Sequence, residues 1–181
     1  MKRACPAWYY EDNVFHRVER MDWAHRPIVA LACRTLRPLG GGAAIDLGCG
    51  NGALLAKIHR LAPHVTPYGI DREPQRIAHA RALLPAFAAN FFEADLGAHP
   101  LLDSERRFAL AILSPRRLEQ ATPAGGERLR AWLRARCERV LLYVYGKART
   151  EHGDLGGFAQ VMGLEVDPRD AGRRAALLRR W

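Results

Sequence analysis

Asp46 and the three glycines that follow it at alternate positions, Gly48, Gly50 and Gly52, are the residues of this chain whose types and spacing best suit chemistry. They stand in the run Ala43-Ala44-Ile45-Asp46-Leu47-Gly48-Cys49-Gly50-Asn51-Gly52, which reads as a buried strand turning tightly into a helix that opens at Ala53-Leu54-Leu55. Glycines in such a turn let the backbone approach a ligand with no Cβ in between. The helix start directs free N–H groups and the positive end of its dipole at the same place. Together these predict a nucleotide-type pocket at the carboxyl edge of a parallel sheet. The Asp46 carboxylate narrows the ligand: it suits one with a positive amino group and suits a pyrophosphate poorly. Gly48, Gly50 and Ala53 also fit the looser G-x-G-x-x-G/A dinucleotide pattern. The acid and the third glycine favour the first class.

With that acid, the run Ile45 to Gly52 resembles motif I of class I S-adenosylmethionine (SAM)-dependent methyltransferases. The resemblance implies that Asp46, Gly48, Cys49, Gly50, Asn51 and Gly52 line a SAM site. Two further positions match it. Asp71 closes Tyr68-Gly69-Ile70-Asp71-Arg72, 23 residues past Gly48, where an acid accepts hydrogen bonds from both ribose hydroxyls. A vicinal diol offers two donors and a carboxylate two acceptor oxygens. Arg72 joins the cofactor-binding set beside it. Asp95 closes Phe92-Glu93-Ala94-Asp95-Leu96. The resemblance gives its carboxylate to the adenine amino group and the Leu96 backbone N–H to the ring. Three acids at the ends of three consecutive strands form a constellation more specific than any one of them.

Past the fourth strand, Leu113-Ser114-Pro115-Arg116-Arg117 stands where many amino-methylating relatives carry Asn/Asp-Pro-Pro-Tyr/Phe. Exocyclic amine methylation of a base thereby loses its main support. Ser114 is expected to touch the methionine end of SAM through its carbonyl. Arg116 and Arg117 sit where a substrate enters and suit bidentate binding of a carboxylate or phosphate; a solvated helix start accounts for them equally well. Methyl transfer from a sulfonium requires alignment and, in some enzymes, removal of one proton. His16, His25 and Tyr10 are the candidate bases, with His152, Tyr9 and Tyr145 behind them. His59, His64 and His79 read as surface groups on the far side. The aromatic run Trp8-Tyr9-Tyr10, with Phe15 and Trp23, reads as a lid over the pocket or as helix packing.

The elements that must position these residues alternate along the chain. Helices are expected over about 11–19 and from Asp22, as N-cap, to Leu36. Strands are expected at 43–47, 66–70, 90–94, 108–113 and 140–145, with helices between them after Gly52, Pro74 and Gly126. A last helix around Phe158 to Met162 and closing strands at 164–166 and 175–181 complete the count. Strand–helix alternation implies a parallel sheet with helices on both faces. The expected fold is thus α/β: three layers around a Rossmann-like seven-stranded sheet, mostly parallel, with an antiparallel edge hairpin. Residues 1–39 form an N-terminal helical lid or cap, and residues 40–181 the SAM-binding core.

The chain has 181 residues, a hydrophobic fraction of 49%, and 28 Lys+Arg against 19 Asp+Glu for a net charge of +9. That length suits one folded unit with a sizeable core. Lysine occurs only at Lys2, Lys57 and Lys147, so the basicity is arginine. It suits anionic partners such as nucleic acid, and equally a GC-rich coding sequence. Cys5, Cys33, Cys49 and Cys137 are widely separated, which supports reduced thiols in a cytoplasmic protein and neither a zinc nor a redox motif. No metal and no membrane partner is expected. The leading function is methyl transfer from SAM, giving S-adenosylhomocysteine, to a small-molecule substrate such as a secondary metabolite. RNA is the runner-up substrate, and a SAM-binding partner subunit without turnover is the third reading.

Overall fold

The computed structural model describes residues 7–9, 15, 17–96, 105–115 and 123–144, and the backbone of two closing strands at 165–166 and 175–179. Its elements are α1 (Val18–Leu36), β1 (Gly42–Leu47), α2 (Ala53–Leu61), β2 (Val65–Asp71), α3 (Pro74–Leu83), β3 (Phe91–Glu93), β4 (Leu110–Leu113), α4 (Pro123–Arg136), β5 (Arg139–Tyr143), β6 (Glu165–Val166) and β7 (Ala175–Arg179). Short 3₁₀ turns at Arg37–Leu39 and Pro85–Asn90 lead into β1 and β3.

Strands β3-β2-β1-β4-β5 lie side by side in that order and pair in parallel throughout. β7 then pairs antiparallel with β5, and β6 antiparallel with β7. The order runs one way from β1 through β3 and the other way from β1 through β4. The carboxyl ends of β1 and β4 therefore border the point where the winding reverses, and open α/β sheets take ligands there.

Side-chain alternation along each strand builds two cores. Ile45 and Leu47, Ala111 and Leu113, and Leu142 face one way, onto Leu129, Trp132 and Leu133 of α4. Ala44, Leu110, Ile112, Leu141 and Tyr143 face the other way, onto Ile28, Leu31, Ala32 and Leu36 of α1 and Leu54 and Ile58 of α2. A third cluster joins Leu55 of α2, Ile77 and Ala80 of α3, and Phe91 of β3. Helices cover both faces of the parallel strands, as the alternation predicts.

Several boundaries differ from expectation. α1 starts at Val18 behind the extended Arg17, which caps nothing with its side chain. Asp22 is thus inside the helix rather than its N-cap, and its carboxylate instead meets Lys57 Nζ at 2.9 Å. Glu19, expected to end a separate helix, belongs to the first turn of α1. β3 is shorter than expected, at 91–93, and its pairing with β2 closes with Ala94 N–H donating to the Asp71 carbonyl (3.0 Å). β4 starts at Leu110, with Phe108 held before it in an isolated bridge to Cys137. α4 begins at Pro123, ahead of the glycine pair 125–126, which is buried inside it. β5 ends at Tyr143. The helix expected near Phe158 to Met162 lies outside the described residues.

Candidate functional site

The glycine turn sits at the carboxyl end of β1 and is built by hydrogen bonds to the end of β2. Gly48 and Cys49 N–H both donate to the Ile70 carbonyl, at 2.8 and 3.0 Å. Gly50 N–H donates to Asp71 Oδ2 at 2.8 Å. Gly52 N–H closes on the Cys49 carbonyl (3.1 Å), and Ala53 N–H reaches Asn51 Oδ1 at 3.4 Å. The turn requires its glycines: Gly48, Gly50 and Gly52 have φ of 94°, 54° and 74°, in the left-handed region that side chains resist.

The space around the turn is uneven. A Cβ on Gly52 would come within 2.9 Å of the Ala80 Cβ in α3, and one on Gly69 within 2.6 Å of Cys49 Sγ. A Cβ on Gly50 would meet nothing within 4 Å. The turn is therefore packed tightly on its inner side and open at Gly50, where a ligand can lie against the backbone.

Two buried carboxylates lie at this end of the sheet, and Asp71 is bonded to Gly50 itself. Asp46 and Asp71, at the ends of adjacent strands, are 2% and 3% exposed. Asp71 accepts from Gly50 N–H through Oδ2 and from Glu73 N–H at 3.1 Å through Oδ1. Each oxygen keeps a second lone pair, so the group retains capacity for a diol. Asp95 lies two residues beyond β3, exposed, and the Ala94–Asp71 bond brings this end of β3 to the end of β2. Leu96 is half-buried against the α4-side core. Ser114 is half-buried at the end of β4, next to β1 in the register Leu47↔Leu113. The structure thus gathers Asp46, Gly48, Cys49, Gly50, Asn51, Gly52, Asp71, Asp95, Leu96 and Ser114 along one sheet edge. Arg72 is exposed and turned to Glu73 (3.3 Å).

One expectation about the turn changes. The amides of Gly48, Cys49, Gly50, Gly52 and Ala53 are engaged inside the fold rather than offered to a ligand. An anion cradle needs such donors free. What this turn offers is buried carboxylate, which suits a cationic ligand with a diol.

Of the candidate bases, His25 is described, at 5% exposure. Its Nδ1 lies 3.2 Å from Lys57 Nζ, so the charged ammonium donates to the lone pair of a neutral ring. Burial first, and the Lys57 charge second, lower its pKa to about 3. His25 is therefore not placed to take a proton from a substrate. His16, Tyr10, Tyr145, His152, Arg116 and Arg117 lie outside the described residues.

The sequence reading missed Lys57. It is 6% exposed on the inner face of α2, beside Ile58 and one turn from Leu54. A lone lysine at that spacing within an apolar stripe, in an arginine-rich chain, was the available signal. Burial pulls its pKa down, while the Asp22 carboxylate opposes the shift. Asn51 was assigned to the cofactor alone, yet its amide donates to the Trp8 carbonyl (3.0 Å). His79, expected on the far side, has Nε2 3.1 Å from the Ala7 carbonyl.

Among the described residues no group of His, Cys, Asp or Glu is arranged to hold a metal, and no helix is long and apolar enough to cross a membrane.

A family described as a methyltransferase domain matches residues 44–136. No curated protein matches the chain by sequence. Among solved structures, the magnesium protoporphyrin IX methyltransferase of Synechocystis PCC 6803, determined with bound SAM, is similar at 16% identity, with 96% of this chain and 86% of that one covered and a TM-score of 0.61. An O-methyltransferase family protein from Burkholderia thailandensis shares 18% identity over 95% of this chain, TM-score 0.60; the match spans 63% of that longer chain. A TehB-like SAM-dependent methyltransferase from Corynebacterium glutamicum shares 18% identity over 90% of this chain and 97% of its own, TM-score 0.55. At these identities the likeness is one of fold.

Proposed function

Since the chain belongs to the methyltransferase-domain family, within the class I SAM-dependent superfamily, we propose that it transfers the methyl group of SAM to a small-molecule acceptor. The observation that supports this most is the pairing of two buried carboxylates, Asp46 and Asp71, with a glycine turn in which the amides of Gly48, Cys49, Gly50 and Gly52 are already engaged. A dinucleotide pyrophosphate would need those amides. SAM, with a diol and positive charge, needs the carboxylates.

In this reading Asp71 takes the ribose hydroxyls with its remaining lone pairs. Asp95 accepts from the adenine amino group and Leu96 offers its N–H to the ring. Asp46 faces the positive end of the cofactor, and the Ser114 carbonyl borders its methionine part. The bound cofactor supplies an electrophilic methyl on a sulfonium. The protein's task is then to align an acceptor with it and exclude water. Arg116 and Arg117 serve acceptor binding, and His16 and Tyr10 are the candidates for proton removal. Residues 1–39 act as the lid and 40–181 as the core, with β6 and β7 completing the family's seven-stranded sheet. The small-molecule assignment is supported by aromatics that cluster near the N-terminus rather than in a base-stacking platform, and Ser114-Pro115-Arg116-Arg117 in place of an Asn/Asp-Pro-Pro-Tyr/Phe clamp argues against amine methylation of a base. The net charge of +9 supports RNA as the second acceptor class.

The test is methyl incorporation from labelled SAM into a metabolite extract and, separately, into total RNA. Label in the low-mass fraction is expected. Label in RNA alone would reverse the ranking, and no label in either with intact SAM binding would favour a non-catalytic subunit.

A further inference from the structure

Lys57 has contacts in three directions. Its ammonium meets Asp22 of α1 at 2.9 Å and His25 of α1 at 3.2 Å. It also lies 3.7 Å from the centroid of the Trp8 ring. Joining α1 to α2 needs no charge, since Ile28, Ala32, Leu54 and Ile58 already pack between them. A buried ammonium is costly unless partnered, and the third partner belongs to neither helix.

Trp8 is gripped a second time from the site itself. Asn51 Nδ2 donates to its carbonyl at 3.0 Å, while Asn51 Oδ1 caps Ala53 N–H at the start of α2. The preceding carbonyl, of Ala7, lies 3.1 Å from His79 Nε2 in α3. Two consecutive residues near the N-terminus are thus fastened to the glycine turn, to α2 and to α3. The glycine turn carries Gly48 to Gly52 of the residues assigned to the cofactor, α2 opens directly after it, and α3 begins just past Asp71.

We propose that Lys57 is a positioning residue: with Asn51 it clamps Trp8 to the glycine turn, so that the N-terminal strap and the cofactor bind cooperatively. The proposal rests on the SAM reading of that turn. It adds a strap whose hold is set by one buried cation and one turn amide. Cooperativity of this kind is reciprocal: what the strap does for the ligand, the ligand does for the strap.

The experiment titrates S-adenosylhomocysteine into wild type, Trp8→Ala, Lys57→Met and the double variant, and follows amide hydrogen exchange at residues 7–9 with and without ligand. Each single variant is expected to weaken binding about tenfold. The double variant is expected to be little worse than either, because both changes break the same clamp. In wild type the ligand is expected to slow exchange at 7–9, and in Lys57→Met that slowing is lost. A merely structural lysine would leave strap exchange indifferent to ligand. Trp8→Ala removes a half-buried ring outside the helices, so it decides the matter if Lys57→Met fails to fold. Wild-type affinity in Trp8→Ala, or strap exchange unchanged by ligand in wild type, overturns the proposal and leaves the SAM reading standing. No binding by wild type overturns both.

Discussion

Asp71 joins β2, the glycine turn and the start of α3 in one carboxylate, through Gly50 and Glu73. Asp71→Ala should weaken S-adenosylhomocysteine binding by roughly 1.5–3 kcal/mol in calorimetry, since a charged acceptor for the ribose is lost; unchanged affinity would place the ribose elsewhere. His25 carries a different expectation. Its ring is held neutral in the fold with a pKa near 3, against an ordinary 6.5. The folded value is the depressed one, so stability is intact above pH 6.5 and is lost as pH falls toward 3, by up to about 1.4 kcal/mol per pH unit. His25→Gln should flatten this part of the urea-midpoint profile between pH 6 and 4, and parallel profiles would contradict it. The acids and glycines of the site were legible in sequence because each sits at a strand end marked by apolar residues and a turn. Lys57 and His25 were not, because their pairing spans 32 residues and depends on how α1 lies on α2.

At the scale of elements, β1, β2, β4 and β5 were readable as short apolar runs bounded by turn residues. The start of α1 was misjudged for a physical reason. Asp22 has the residue type of an N-cap, but Lys57 claims its carboxylate, while Arg17, which has no capping oxygen, holds the true position. That shift moves the boundary for a truncation. Deleting residues 1–16 leaves α1 whole and removes Trp8 from Asn51 and Lys57. The shortened protein should melt cooperatively, bind S-adenosylhomocysteine more weakly and lose most of its turnover. Full affinity and full rate in the shortened protein would rule out the strap and lid together.

At the scale of the molecule, the strand order β3-β2-β1-β4-β5 places the glycine turn where the winding reverses, so the fold and the site are one arrangement. Alternating helices and strands implied the parallel sheet with helices on both faces, but not this strand order. The use of the surface charge was not legible either, because a sum of +9 says nothing about where arginines find partners. Arg130 pairs with Glu127 and Arg136 with Glu105, so these two arginines are engaged within the protein. With a small molecule as the acceptor, RNA retention should be weak and indifferent to sequence. Tight binding to a defined RNA, falling with salt at a log–log slope of about −0.7 to −0.9 per phosphate contacted, would favour the RNA reading instead. Engaged turn amides and buried carboxylates together favour a cationic nucleoside over a pyrophosphate. Calorimetric titration of the full chain with SAM, S-adenosylhomocysteine and NAD measures this selectivity. SAM and S-adenosylhomocysteine are expected to bind in the micromolar range, at about −8 kcal/mol, while NAD gives no measurable heat. Tight binding of NAD with none of SAM would contradict it.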